Sequence, residues 1–236
     1  LFVCSLVRLF SCSFVLLFSL LGSSTSKENS MPVRSREIAE ALIGAGAVLL
    51  RPQEPFTFAS GLRSPVYCDN RLLLGHVVAR RVVTAGFVER CSGGNVLAGP
   101  ATGGIPWAAW AAEALSLPMA YVRGAAKGHG RGQQIEGAVT AGRRVVVLED
   151  TVSTGESALN AIEALQAQGA DVVRCVCIFT WGWAETTARF AALGVSLEPL
   201  ATLVDVLDAA TVAGKVSAEQ RRIVEAWAAD PQGWKG

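Results

Sequence analysis

The chain has 236 residues, enough for one α/β domain with a sizeable core. Lysine and arginine number 21 against 20 aspartates and glutamates, and a net charge of +1 removes any bulk electrostatic case for a nucleic-acid partner. The 6 cysteines form no CxxC pair, so they read as reduced thiols packed as small hydrophobes, in keeping with a reducing compartment.

Residues 1–21, LFVCSLVRLFSCSFVLLFSLL, are apolar with one arginine, and a polar, linker-like GSSTSKENS follows. The pattern is that of a signal-peptide core or a membrane anchor. The first methionine is Met31, however, and residues 1–30 are read here as translated upstream sequence ahead of a start at Met31. On that reading 31–236 is the working domain, it is cytoplasmic, and membrane contact arises only if the leader is real.

From Met31 onward short apolar runs alternate with amphipathic stretches. Residues 35–50 predict a helix running into a turn. Residues 56–69, FTFASGLRSPVYCD, predict a β-hairpin turning near Ser60 and Gly61. Residues 75–90 predict a helix with Val77, Val78, Val82, Val83 and Phe87 as its apolar positions. Buried strands are predicted at 95–99, 144–150 and 172–180, with a further short strand at 118–123. Strands interleaved with helices imply a mostly parallel sheet flanked by helices. The tail is helical, with Ser217 and Gln220 as a capping box ahead of Ile223, Val224 and Trp227.

Three segments carry chemistry. The first, LAGPATGGIPWAAWAAEAL (97–115), is strand, glycine loop and helix. Its glycines do not fit the dinucleotide fingerprint, and the loop suits an anion such as pyrophosphate better. The second, YVRGAAKGHGRGQQIEG (121–137), carries Arg123, Lys127, His129 and Arg131 among many glycines. It reads as a mobile, basic loop, no helix or strand being expected to hold so much glycine. Such a loop can act as a lid that closes over an anionic leaving group. The third, VVVLEDTVSTGES (145–157), is the most specific. Val145 to Leu148 predict a buried parallel strand that delivers Glu149 and Asp150 to its carboxyl end. Thr151 to Ser157 predict a tight loop into a helix, whose unpaired N–H groups suit a phosphate dianion. Ser153, Thr154 and Ser157 add hydroxyls, and Gly155 admits a close backbone approach. The GxxxxGK[ST] of a P-loop is absent. A pentose with phosphate at one end and pyrophosphate at the other would satisfy all of these elements.

VVVLEDTVSTGES resembles the phosphoribosyl pyrophosphate motif of type I phosphoribosyltransferases. FASGLRSPVYCDNRLLL, AGPATGGIPWAAWAAEALSLPMAYVR and KGHGRGQQIEG further resemble the orotate phosphoribosyltransferase family, over a stretch from Pro55 to Thr180. The resemblance implies an α/β type I phosphoribosyltransferase fold with an N-terminal hairpin or hood and a mobile basic loop. It implies transfer of phosphoribosyl from phosphoribosyl pyrophosphate to orotate, giving orotidine 5′-phosphate and pyrophosphate in pyrimidine biosynthesis. By position, Glu149 and Asp150 would hold the ribose hydroxyls. Thr151, Val152, Ser153, Thr154, Gly155, Glu156 and Ser157 would hold the 5′-phosphate. Arg123, Lys127 and His129 would meet the pyrophosphate as catalytic groups. Ser153, Tyr67 and Arg71 would contact orotate. Mg²⁺ would be carried by the sugar's oxygens and water, with no dedicated protein ligand. A homodimer with shared active sites is implied too. The chain departs from the pattern at Ala59, at Gly124 and in TWGWAETT, where some members carry basic residues; Arg63 or Arg71 are the candidates to replace them in reading the orotate carboxylate. Another base as acceptor, or a ligand-sensing regulator on the same fold, are the alternatives.

Overall fold

A computed structural model describes residues 33–58, 61–124, 134–138 and 140–234. The leader, Ala59, Ser60, Lys127, His129 and Arg131 lie outside the described residues. Helix α1 (Val33–Gly44) leads to β1 (Val48–Leu50), so the end of the segment expected to be a turn is a strand. The expected hairpin forms, but only between β2 (Phe56–Thr57) and β3 (Arg63–Ser64), with Gly61 at φ +83° in the turn. The following strand β4 (Val66–Cys68) pairs with β1 instead. These short pairs make the hood.

A 3₁₀ turn at Asn70–Gly75 then enters α2 (Val77–Arg90). Its buried face is Ala79, Val83, Gly86 and Phe87, while Val77 and Val78 are 48% and 78% exposed. Val83 and Phe87, rather than the apolar pair at the helix start, set the face that turns inward. Leu200 and Ile38 press on Gly86, where an added Cβ would come within 3.1 Å of Leu200 and oblige it to shift by a few tenths of an ångström.

The main sheet has the strand order β10-β9-β8-β5-β6-β7. Its members are β5 (Val96–Pro100), β6 (Met119–Val122), β7 (Ile135–Gly137), β8 (Arg144–Val152), β9 (Asp171–Thr180) and β10 (Ser196–Thr202). All neighbours run parallel except β6 and β7. Three differences from the sequence reading stand out. Strand β7 lies inside the glycine-rich segment, where Gly137 takes φ +101° against the Met119 carbonyl. Strand β8 runs on through Glu149, Asp150 and Thr151 to Val152, because β9 pairs with it as far as Thr180. Strand β10 has a proline and a charge in SLEPLAT and gives little periodic signal, yet it forms the edge beside β9.

The period of two along β8 sorts its side chains between two cores. Val146 and Leu148 face one, with Phe87, Trp107, Leu207 and Trp227 from α2, α3 (Gly104–Leu115), α6 (Leu203–Val212) and α7 (Ala218–Ala229). Val145 and Val147 face the other, with Ile162, Cys175, Cys177 and Phe190 from α4 (Glu156–Ala167), β9 and α5 (Ala184–Ala192). Helix α4 presents Ala158, Leu159, Ile162 and Leu165 at helical spacing to that second core. The expected capping box opens α7, whose Val224 and Trp227 are buried. Cys91, Cys175 and Cys177 are free and buried, and Cys68 is free and half-buried. Among the described residues no helix is long and apolar enough to cross a membrane.

The heads of α3 and β8 meet so closely that a Cβ on Gly104 would lie 2.3 Å from the Leu148 carbonyl oxygen. Backbone cannot retreat as a flexible side chain can. Gly104→Ala is therefore expected to cost about 1–3 kcal/mol of stability, as overpacked sites do. A urea denaturation curve displaced to lower midpoint with unchanged slope would show it.

Candidate active site

The carboxyl ends of β5, β8 and β9 carry the loops of interest to one edge of the sheet, where open α/β sheets bind ligands. Val152 ends β8 buried, Ser153 and Thr154 stand exposed, and Gly155 turns the chain into α4. Gly155 takes φ +81°, and a Cβ there would meet the Phe190 ring at 2.7 Å. Both the backbone angle and the space demand glycine. The turn is tighter than the sequence suggested: the loop is only Ser153–Gly155, with Thr151 and Val152 in the strand and Glu156 and Ser157 in the helix. No side chain caps the head of α4. Its first N–H groups have no carbonyl one turn back, which leaves them available to an anion.

Glu149 and Asp150 share one strand end but differ in environment. Glu149 is 4% exposed and already engaged: one carboxylate oxygen accepts the Ser157 hydroxyl at 2.8 Å, the other the Asp150 N–H at 3.0 Å. Burial first, then the neighbouring Asp150 carboxylate, push the Glu149 carboxyl up to about 8. Asp150 is half-buried, with one oxygen accepting the Thr151 N–H. Its carboxylate fills the space that a side chain on Gly103 would need, at 2.6 Å. The second glycine loop thus rests directly on the acidic pair. Pro100, Ala101, Thr102 and Gly103 lead from β5 into α3, with the Ala101 N–H bonded to the Val122 carbonyl at 2.7 Å and a cis peptide between Ala101 and Thr102.

Asn70 was not singled out in the sequence, though it lies in the VYCDNRLLL string. It is 1% exposed and donates from Nδ2 to the Asp150 carbonyl at 2.8 Å and to the Thr151 hydroxyl at 2.9 Å. The hood is thereby tied to the acidic end of β8. Tyr67 packs its ring against Phe56 and Phe58, at 5.4 and 6.3 Å between centroids. Arg71 is held by Asp69 at 2.7 Å. Arg63 lies with its guanidinium 6.0 Å from the Trp234 ring centre, and its carbonyl accepts from the Trp227 indole at 3.1 Å. Arg123 anchors the foot of the basic segment: its N–H bonds the Gln134 carbonyl at 2.9 Å, and its guanidinium lies 3.8 Å from Glu136.

A pocket of 860 Å³ opens beside the Ser153–Gly155 loop. Thr151, Ser153 and Thr154 form one wall, Phe58, Leu62 and Cys68 of the hood another. Trp181, Trp183 and Trp227 supply the apolar side, with Arg189 at the rim. The first two indoles stack at 6.1 Å, and Trp227 meets Trp181 edge-on at 5.2 Å. Tyr67 and Arg71 stand outside this lining, so of the three expected base contacts only Ser153 reaches it directly. The tryptophans were missed in the sequence, where TWGW stood out only as a departure. Its position after the last core strand was the signal that could have found them.

A parallel sheet with an uncapped helix head, an acidic pair and a second glycine loop at one edge defines the class: a type I phosphoribosyltransferase fold. The family model of the phosphoribosyl transferase domain matches residues 88–190. An orotate phosphoribosyltransferase of Listeria monocytogenes is 42% identical over 203 residues, 84% of this chain and 97% of that protein. Among solved structures, orotate phosphoribosyltransferase from Aeropyrum pernix superposes with a TM-score of 0.62 at 34% identity, covering 72% of this chain and 96% of that one. The Mycobacterium tuberculosis enzyme in complex with 5-phospho-alpha-D-ribosyl 1-diphosphate gives 0.59 at 26% identity, over 73% and 98% of the two chains. The chain belongs to the orotate phosphoribosyltransferase family.

The raised carboxyl of Glu149 has a consequence for stability. The folded chain binds a proton there between pH about 4.5 and about 8, where the unfolded chain has released it. Stability from this group therefore falls as pH rises through that window and is unaffected below it. Glu149→Gln removes the titration while keeping the shape. The variant is expected to melt several degrees above the wild type at pH 9 and to converge with it near pH 5. Thermal melts across that range check this.

Proposed function

We propose that this chain transfers the 5-phosphoribosyl group of phosphoribosyl pyrophosphate to N1 of orotate, yielding orotidine 5′-phosphate and pyrophosphate for pyrimidine biosynthesis. The observation that carries this reading is the uncapped head of α4 opening beside a pocket roofed by the hood. A phosphate at that helix head would place the sugar over the end of β8 and the base in the pocket. Asp150 would then face the ribose hydroxyls, with Glu149 beneath it holding Ser157 in place. Thr151–Ser157 would take the 5′-phosphate. Ser153 would reach the base, and Tyr67 would support it through Phe58. For Arg71 to touch orotate it must give up Asp69; Arg71→Ala would leave the orotate KM unchanged if it does not.

The ribosyl C1–oxygen bond breaks as the C1–N1 bond forms, the N1 proton is given up to solvent, and charge gathers on the departing pyrophosphate. Lys127, His129 and Arg123 would meet that charge, together with amides of the loop before Gly103. Among the described residues no three His, Cys, Asp or Glu side chains stand together as a metal site. Mg²⁺ would be held chiefly by oxygens of the phosphoribosyl donor and water, with Asp150 the chain's own contact to that shell. Bound there, it supplies neutralising charge to the pyrophosphate. A homodimer, with the basic lid reaching the neighbouring site, fits the apolar surface left next to this edge: Leu72, Leu74, Val77 and Val78 are 37–78% exposed. The cytoplasm is the compartment proposed, given the free thiols of Cys68, Cys91, Cys175 and Cys177. Residues 31–236 would form the enzyme and 1–30 a segment outside it.

Pyrophosphate release followed with orotate, phosphoribosyl pyrophosphate and Mg²⁺, each omitted in turn, tests the assignment. Release is expected only with all three. Release with a purine base and none with orotate would contradict it. Lys127→Ala is expected to lower kcat by ~10²–10³-fold, the usual cost of one preorganised charge contact. Its melting temperature should stay at the wild-type value, and a wild-type rate would remove the lid role.

A further inference from the structure

Helix α5 lies beyond the stretch that carries the motifs, yet it grips the phosphate loop from behind at successive points. The Thr186 hydroxyl donates to the Ser153 carbonyl at 2.8 Å, and Thr186 is 3% exposed. One turn on, the Arg189 guanidinium donates to the Thr154 carbonyl at 2.7 Å. The next residue, Phe190, is fully buried and fills the space beneath Gly155. The spacing of Thr186 and Arg189 puts both on one helix face. Adjacent carbonyls of the loop are thus turned toward α5 and away from the ligand side.

We infer that α5 sets the shape of the phosphate loop and that Arg189 is a positioning residue for the 5′-phosphate. This rests on the function proposed above and deepens it. The argument is electrostatic as well as geometric. The Thr154 carbonyl and the Gly155 N–H are the two ends of one peptide unit. A cation on the oxygen increases the partial positive charge on the hydrogen, which strengthens it as a donor to an anion. Among the described residues Arg189 is also the one cation lining the pocket. Its charge acts on a phosphate in the loop through space as well, and among the described residues no carboxylate bonds its guanidinium. Glu185 on the pocket wall and Glu156 in the first turn of α4 carry the opposing charge nearby.

Ribose 5-phosphate is the probe, because it fills the loop and engages no pyrophosphate group. Calorimetric titration of the full-length wild type, Arg189→Met, Arg189→Lys and Thr186→Val is the experiment. Arg189→Met is expected to bind about tenfold more weakly, the scale of one charge-assisted hydrogen bond lost. Its affinity should also fall less steeply with added salt, a change that a merely structural role would not produce. Arg189→Lys should recover the salt slope and part of the affinity. Thr186→Val removes the donor to the Ser153 carbonyl with little change in side-chain size, and is expected to weaken ribose 5-phosphate binding about threefold. Wild-type affinity and salt slope in Arg189→Met would overturn the inference. So would weaker binding that tracks a lowered melting temperature at an unchanged slope. If the wild type itself fails to bind ribose 5-phosphate, the proposed function falls first, which separates the two failures.

Discussion

Backbone amides hold a dianion well only when the loop that presents them is fixed before the ligand arrives; otherwise ordering the loop consumes the binding energy. The junction between β8 and α4 meets that constraint from several directions. Pairing with β9 holds the strand through Val152. Asn70 bonds the Asp150 carbonyl and the Thr151 hydroxyl from the hood side. Thr186 and Arg189 take the Ser153 and Thr154 carbonyls from behind. Phe190 closes the space under Gly155, the residue whose φ of +81° starts the helix. The result is a three-residue loop with little freedom, at the edge where the parallel strands end.

The same edge carries an electrostatic burden. A buried glutamate beside a half-buried aspartate is costly, and the rise of the Glu149 carboxyl to about 8 expresses that cost. Its position explains why it persists. Glu149 orders Ser157 at the helix head, and Asp150 fits against Gly103 so that two loops from separate strands share one floor. A cation or ribose hydroxyls at Asp150 would relieve the repulsion. Stability is given up at this edge in a form that a ligand can restore, which is common where function needs an unfavourable arrangement.

Much of this was legible in the sequence, and the reasons are local. VVVLED alternates between two apolar faces and then ends in acids, so the strand and its direction could be read without a structure. Ser217 and Gln220 cap α7 as their spacing required. The tertiary pairings could not be read. Nothing in RVVVLED says that β9 extends it to Val152, and nothing in SLEPLAT, with its proline and glutamate, says that it completes an edge. Ile135–Gly137 forms a strand despite its glycine because β6 offers a free edge to pair with. Val77 and Val78 are apolar positions of the predicted helix, but the burial of Phe87 and Val83 fixes the helix rotation and turns them outward. At the candidate site, the acidic strand end and the tight loop into α4 follow from local pattern, while the contacts of Asn70, Trp181, Trp183 and Arg189 do not. Each of these acts across a gap in sequence that no local pattern spans.

Crystals grown with phosphoribosyl pyrophosphate and Mg²⁺ would test the central claim most directly, by locating the sugar's 5′-phosphate. The account places it on the amides of Ser153–Ser157, with the ribose over Asp150 and the pyrophosphate toward Gly103. Density for that phosphate elsewhere, with the head of α4 left to solvent, would contradict it.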